Sequence, residues 1–254
     1  GARLRATKIP IDILDGGLQA VQDSLEVLQL LSVDDDVVIA QAVLGGVTVL
    51  TRLHPATVAA HFLVSMALVA VSTALLLRMR SGDGPPVRQV RPEIGGLVRG
   101  LLALTSVVLV LGTLVTGSGP HSGDADQPAR FGFDPRSVSW LHSDAVLIWF
   151  GLLLAVLVGL YFTQAPPRVT RAARVVLAVG LLQGLIGYVQ YATGLPVVAV
   201  ALHMLGASLL VVVVTWFAST LSVRSAGVDP GDGPSSPTPS ASPADRPGER
   251  PGVS

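Results

Sequence analysis

The stretch QGLIGYVQYATGLPVVAVALH, residues 183–203, has the pattern of a membrane hairpin that carries a histidine in its second arm. A similar stretch, QAVLGGVTVLTRLHPATVAAH, occupies residues 41–61, and in both a glutamine and a histidine are separated by 20 residues. The matching positions between them are Gly45 and Gly187, Thr51 and Thr193, and Leu53 and Leu195. Because the hairpin occurs twice, the sequence predicts a duplicated membrane architecture with a ligand site at the repeat interface.

The composition indicates a membrane protein, because 50% of the 254 residues are hydrophobic and only 13% are charged. Six apolar runs have about the length that a membrane span requires, which is roughly 20 residues. They cover residues 37–53, 56–77, 97–116, 138–162, 172–191 and 197–223. We therefore predict an all-α polytopic membrane protein with about six transmembrane helices, comprising a complete C-terminal four-helix half and a partial N-terminal half.

The domain organisation follows from the same runs. Residues 1–36 form a polar, amphipathic N-terminal segment without the pattern of a signal peptide, and residues 37–78 form the partial N-terminal half. Residues 79–96 are a loop, residues 97–223 form the C-terminal four-helix half, and residues 224–254 are a tail rich in proline, serine and glycine. Since this tail has almost nothing to bury, we expect it to be disordered.

Arginines cluster in two of the loops and predict the orientation. They are Arg78, Arg80, Arg88, Arg91 and Arg99 in the first loop and Arg168, Arg171 and Arg174 in the second. By the positive-inside rule both loops are cytoplasmic, so both termini are cytoplasmic and the loop of residues 117–140 faces outward. We expect a multi-pass protein of the plasma membrane. The formal net charge of zero indicates no nucleic-acid partner.

Three histidines follow prolines at similar distances. His61 comes six residues after Pro55, and His142 and His203 each come seven residues after a proline. Proline suits the first turn of a helix, so each imidazole should lie roughly 10 Å inside the outer end of its helix. A single membrane histidine more often bonds another helix, but three at one depth in a chain without cysteine favour axial ligation of haem over a zinc or di-iron site.

Polar residues of the outer loop are candidates for the mouth of such a site. Arg130 and Arg136 could bind carboxylates there, since arginine binds planar anions through two hydrogen bonds. His121 could also line the mouth, whereas His54 is expected to be an ordinary turn residue.

The chain resembles the haem A synthase family, most closely its high-GC bacterial branch, over residues 37–223. The stretches that carry the resemblance are QAVLGGVTVLT, HPATVAAHFLVSMAL, LVTGSGPHSGD, FGFDPRSVSWLHSD and LLQGLIGYVQYATGLPVVAVALHMLGA. The resemblance implies that His142 and His203 ligate a haem b cofactor and that His61 belongs to the half that binds the substrate. The implied reaction oxidises a methyl group of haem O, through an alcohol, to the formyl group of haem A for cytochrome oxidase. The implied partners are haem O, membrane lipid, haem O synthase and an electron donor.

The sequence departs from this family at its N-terminus. The first two family helices, which carry a Glu-x-x-His arrangement, have no counterpart that we identify, so we expect the catalytic half to be incomplete in this chain. Two alternatives remain open. One is a b-type membrane cytochrome that binds haem through His142 and His203 without oxidising it. The other is a repeat-built transporter that uses its histidines as proton relays.

Overall fold

The computed structural model describes residue 36, residues 38–123 and residues 129–224. The predicted amphipathic segment up to residue 35 and the predicted disordered tail beyond Arg224 lie outside these residues. The described chain consists of six helices and one small sheet, so the prediction of an all-α polytopic membrane fold is confirmed.

Five of the helices are long and apolar enough to cross a membrane. A shorter apolar helix, α1 (Val38–Leu50), precedes them. The five long helices are α2 Pro55–Met79, α3 Pro92–Ser118, α4 Pro135–Phe162, α5 Pro167–Ala192 and α6 Val197–Ser219. At about 1.5 Å per residue, α1 extends roughly 20 Å, which is less than the hydrocarbon core of a bilayer. One of the six predicted spans is therefore a short helix.

Proline and its neighbours begin the helices that carry the histidines. Pro55 and Pro135 each occupy the first turn of a helix, where the missing N–H costs nothing. The side chain of Asp134 accepts a hydrogen bond from the Ser137 N–H and caps α4. Pro196 instead precedes α6 as its N-cap residue.

A small antiparallel sheet ends the last helix earlier than predicted. Strand β1, Pro86–Arg88, pairs with strand β2, Ser222–Arg224. The predicted span of residues 197–223 was therefore too long, because α6 ends at Ser219 and the chain turns at Thr220 into the strand. The sheet joins the loop between α2 and α3 to the end of α6, so these two segments lie on the same side of the helices.

The last four helices form a ring. Helix α4 packs between α3 and α5, and α6 packs between α5 and α3, while α2 lies against α6 and α3. Among the described helices, α4 and α6 share no comparable packed face, so they lie diagonally opposite each other. A space between diagonal helices of a bundle is a usual place for a cofactor.

The packed core occupies only one end of this ring, which we name the arginine end because the arginine-rich loops adjoin it. Its members come from the start of α3, the end of α4, the start of α5 and the end of α6. They are Ile94, Val98, Leu101, Trp149, Leu153, Val156, Leu160, Val169, Ala172, Ala173, Val176, Val213, Val214 and Phe217. Trp149 lies at the edge of this core, where its indole N–H donates to Thr105 at 2.8 Å and its ring approaches Gly180.

The opposite half of the ring, which we name the histidine end, is much less closely packed. Helix α6 buries no residue before Val211, and α4 buries only Val138 and Ala145 before Trp149. The buried side chains contributed by α3 and α5 beyond this level are small or polar, namely Thr113, Ser118 and Gln183. The large apolar core therefore lies at the arginine end, and the histidine end has none.

The two repeated hairpins have the same turn. Leu53 N–H donates to Thr48 O at 2.9 Å, and Leu195 N–H donates to Gln190 O at 2.7 Å. Backbone φ is positive at Leu53 and Leu195, with values of 55° and 61°. This conformation is costly for leucine, so its recurrence at equivalent positions shows that the repeat preserves backbone geometry as well as sequence.

The repeats also meet each other. Met66 of α2 and Ser208 of α6 occupy equivalent positions, both five residues after their hairpin histidine, and the Ser208 hydroxyl donates to Met66 Sδ at 3.7 Å. Equivalent residues can contact each other only where the two copies adjoin. The predicted repeat interface is therefore the contact between α2 and α6.

Candidate functional site

The three histidines lie at similar depth in three different helices. His61 is the seventh residue of α2, His142 the eighth of α4 and His203 the seventh of α6. All three side chains are partly buried. The common depth that the proline spacing predicts is therefore reproduced by the observed helix starts.

Each imidazole rests on a glycine of a neighbouring helix. A Cβ added to Gly187 of α5 would lie 3.1 Å from His203 Cε1, and one added to Gly112 of α3 would lie 3.4 Å from His142 Cε1. A Cβ added to Gly45 of α1 would lie 3.2 Å from His61 Cε1. We name these contacts the glycine seats, because the absent side chain is what allows each ring to approach the helix backbone.

The rings also approach backbone carbonyl groups. His142 lies near the carbonyl of Val108, and His203 lies near the carbonyl of Gln183, each four residues before a seat glycine. The Nδ1 atoms of His61, His142 and His203 are buried, and none has a hydrogen-bond partner among the residues that the structure describes. A buried unpaired ring nitrogen is unfavourable, so these three atoms require an explanation.

A glutamine links the two arms of each repeated hairpin. The Gln183 side-chain amide donates to the backbone carbonyl of His203 at 2.8 Å, and the Gln41 amide donates to that of His61 at 2.9 Å. Gln41 also hydrogen bonds with the Ser65 hydroxyl. The glutamines therefore bond between helices, and each holds the neighbouring helix at the level of its histidine.

His142 and His203 form a pair across the ring of helices. Their rings are close enough to interact electrostatically, although α4 and α6 lie diagonally opposite each other. The histidine end between them lacks a large apolar core, and Trp149 lies at its inner boundary. The pair therefore lies in the half of the ring that has no large apolar core.

These features fit the axial ligands of a haem better than those of a bare metal ion. No group of three or more histidine, aspartate or glutamate side chains able to hold an ion occurs in the part of the chain that the structure describes. Two imidazoles on opposite helices suit a planar macrocycle, whose own nitrogens supply the other ligands. A buried Nδ1 directed toward helix backbone leaves Nε2 as the nitrogen available for iron.

The remaining candidate residues lie at the outer surface. His54 is exposed and caps α2 by accepting from the Ala56 N–H, which agrees with its expected role as a turn residue. His121 is exposed and its Nε2 lies 2.7 Å from the carbonyl oxygen of Leu195. Arg130 and Arg136 are exposed, with Arg136 near Asp134. His121, Arg130 and Arg136 thus lie near the histidine end, and their role at a mouth stays a prediction.

Sequence reasoning missed Gly112 as a site residue. Gly45 and Gly187 belong to the repeat, which draws attention to them, but Gly112 is separated from His142 by a long loop and has no repeated copy in the described helices. Gly112 lies in the stretch LVLGTLVTG, and nothing in that stretch marks the glycine as a contact of a histidine.

Comparison with protein families gives one result that bears on identity. Residues 27–121 match the family model COX15-CtaA, which is described as cytochrome oxidase assembly protein. The match includes His61 and Gly112 and stops before His142 and His203. It begins earlier and ends earlier than the resemblance over residues 37–223. A comparison with curated proteins finds no match to the chain.

Proposed function

We propose that the chain belongs to the COX15-CtaA family of cytochrome oxidase assembly proteins, whose model matches residues 27–121, and that it acts as a haem A synthase. The proposed reaction is the oxidation of a methyl group of haem O, through the alcohol, to the formyl group of haem A. The observation that carries the proposal is the pair of seated histidines, His142 and His203, on diagonal helices above a packed core.

In this proposal His142 and His203 are the two axial ligands of a haem b cofactor. When bound, haem b supplies one-electron transfer. With both histidines holding the haem, this site would serve electron transfer, and the substrate would bind elsewhere. The glutamine and glycine contacts hold His203 in place before any ligand arrives, which lowers the ordering cost of binding.

His61 is the proposed histidine of the substrate half. It has the glycine seat and the glutamine contact of His203, so it is oriented in the same way by its own hairpin. Arg130, Arg136 and His121 are proposed to contact haem carboxylates at the outer surface. Haem O synthase and an electron donor are proposed as partners, because the reaction needs a supply of haem O and because each insertion of one oxygen atom from O2, with release of the other as water, consumes two electrons.

A specific observation also favours the alternative of a b-type cytochrome without oxidase activity. Neither α1 nor α2 contains an acidic residue, so the hairpin of His61 offers no carboxylate for proton transfer. The pair formed by His142 and His203 needs no such residue to bind haem. Under this alternative the protein holds haem or passes electrons and leaves the methyl group unchanged.

The test combines a spectrum with pigment analysis. The full chain is expressed in bacterial cells that lack their own haem A synthase, and a reduced-minus-oxidised spectrum is recorded on the purified protein. A six-coordinate haem b spectrum together with haem A in the cells supports the enzyme. The spectrum without haem A supports the cytochrome, and the absence of any haem spectrum contradicts both.

The proposed location is the plasma membrane, with the arginine end in the cytoplasm and the histidine end outside. Single cysteines at Ser81 and Gly132, which are both exposed, place one label on each side. An impermeant thiol reagent applied to intact cells should label the cysteine at position 132 only. Labelling at position 81 alone would reverse the proposed orientation.

A further inference from the structure

The glycine seats recur at three imidazoles that reach them in different ways. His61 and His203 face glycines across tight hairpins, whereas His142 faces Gly112 across the long connection between α3 and α4. A contact inherited with the hairpin alone would be absent from the third histidine. The seat is therefore associated with the imidazole and not with one kind of turn.

We propose that Gly112 and Gly187 are positioning residues that, with the carbonyls of Val108 and Gln183, fix the plane and the tautomer of His142 and His203. This inference rests on the proposed haem site and specifies how the chain prepares its ligands. The glycine removes the side chain that would keep the ring away from the helix. The carbonyl four residues earlier then lies beside the ring.

The tautomer follows from burial and the nearby acceptor. A neutral imidazole carries its proton on one nitrogen, and a carbonyl next to the ring stabilises the nitrogen that can donate. Nδ1 is the buried nitrogen in both rings, so a proton on Nδ1 is directed toward the helix and a lone pair stays on Nε2. Adjacent carbonyls are known to orient metal-bound histidines in this manner.

The distances predict which seat is more sensitive. An added Cβ would be 3.1 Å from Cε1 at Gly187 and 3.4 Å at Gly112. The first contact is tighter than ordinary van der Waals contact, so alanine at position 187 should displace the His203 ring by a few tenths of an ångström. The second is at the limit, so alanine at position 112 should displace its ring less.

The experiment compares Gly187→Ala and Gly112→Ala with matched glycine variants in the full-length, haem-loaded protein. Gly184→Ala lies one turn earlier in α5, where the added Cβ would be 3.9 Å from Phe150 Cε2. Gly151→Ala in α4 would meet nothing within 4 Å. Electron paramagnetic resonance of the oxidised protein reports the relative orientation of the two imidazole planes. We expect a shifted low-spin signal and an altered midpoint potential for Gly187→Ala, a smaller shift for Gly112→Ala, and unchanged values for both controls.

The outcomes separate this inference from the proposed function. If the wild-type protein shows no low-spin haem, the proposed haem site is wrong. If the wild-type signal is present and Gly187→Ala leaves both its shape and the potential unchanged, the seat is only a packing feature and our inference is overturned.

A second measurement needs no substitution at the seat. Nitrogen-15 NMR of the histidine side chains, recorded on the full wild-type chain before haem is added, distinguishes the two neutral tautomers. His142→Gln and His203→Gln samples assign the signals. A dominant Nδ1–H tautomer at both positions is expected, and a dominant Nε2–H tautomer would overturn the inference even if the glycine variants do not fold.

Discussion

The two repeated hairpins share their local construction but differ in what faces them. The α1–α2 hairpin and the α5–α6 hairpin have the same turn, the same glutamine contact and the same glycine seat. Only α6 lies diagonally opposite a helix with another seated histidine, since α4 carries His142. The comparison teaches that a hairpin can orient one imidazole by itself, whereas a site for two axial ligands requires the fourth helix of a ring.

The largest expected effect follows from removing a member of the pair. Replacing His142 or His203 by alanine should abolish the six-coordinate haem spectrum, because one axial ligand is lost in each case. His54→Ala is the matched control, since His54 is exposed at the turn and only caps α2. A normal low-spin spectrum in His203→Ala would show that the pair is assigned incorrectly.

The stoichiometry of haem measures the difference between the hairpins directly. We expect one tightly bound haem per chain, held by the α3–α6 ring, because His61 has no second histidine opposite it on a described helix. His61→Ala should leave this tightly bound haem in place, as measured by pyridine haemochrome content per protein. Two tight haems per chain, reduced to one in His61→Ala, would show that the first hairpin also forms a complete site.

A steric contact distinguishes the two glutamines. A Cβ at Gly206 would overlap the Gln183 side-chain oxygen, so Gly206→Ala should lower the free energy of unfolding by about 1–3 kcal/mol. In α2 the equivalent position is Val64, so no similar glycine contact accompanies Gln41. Thermal unfolding in detergent measures the change.

A double substitution tests the cause of that loss. In Gln183→Ala the side chain that overlaps is absent, so adding Gly206→Ala should cost much less than it does in the wild-type background. Gln183→Ala alone should cost about 0.5–1.5 kcal/mol through its lost hydrogen bond. Equal costs of Gly206→Ala in both backgrounds would mean that the glutamine is not the obstacle.

The smallest expected effect concerns the cap of α4. Hydrogen bonds from Ser137 hold the pKa of Asp134 below its usual value of 3.8. Because the folded-state pKa is lowered, the stabilisation is present above pH 3.8 and is lost as the pH falls through the folded value. Asp134→Asn should remove this pH-dependent stabilisation, which is measured as the pH dependence of thermal unfolding below about pH 5. The control is Asp144→Asn, a substitution at another exposed aspartate, which should retain the pH dependence.

Much of the architecture could be predicted because it depends on local sequence. Apolar runs predict the long helices, and the prolines before His61, His142 and His203 predict where their helices begin. The repeated glutamine, glycine and histidine predict a duplicated hairpin, which the matching turns confirm.

Features that depend on distant parts of the chain could not be predicted in the same way. The pairing of β1 with β2 joins segments that no local pattern connects, and it ends α6 before the apolar run is complete. Gly112 is recognisable as a seat only once α3 lies beside α4. The approach of His121 to the Leu195 carbonyl likewise depends on how the outer loop crosses the α5–α6 turn.

The contact between Met66 and Ser208 has a consequence for the origin of the repeat. If two identical half-chains associated around a two-fold axis at this point, each residue at the contact would meet its own copy. Such a homodimer could place two methionines or two serines together, but never one of each. Fusion into a single chain removes that restriction, and the hydroxyl-to-sulfur contact at 3.7 Å is a pairing that a symmetric homodimer of half-chains could not make.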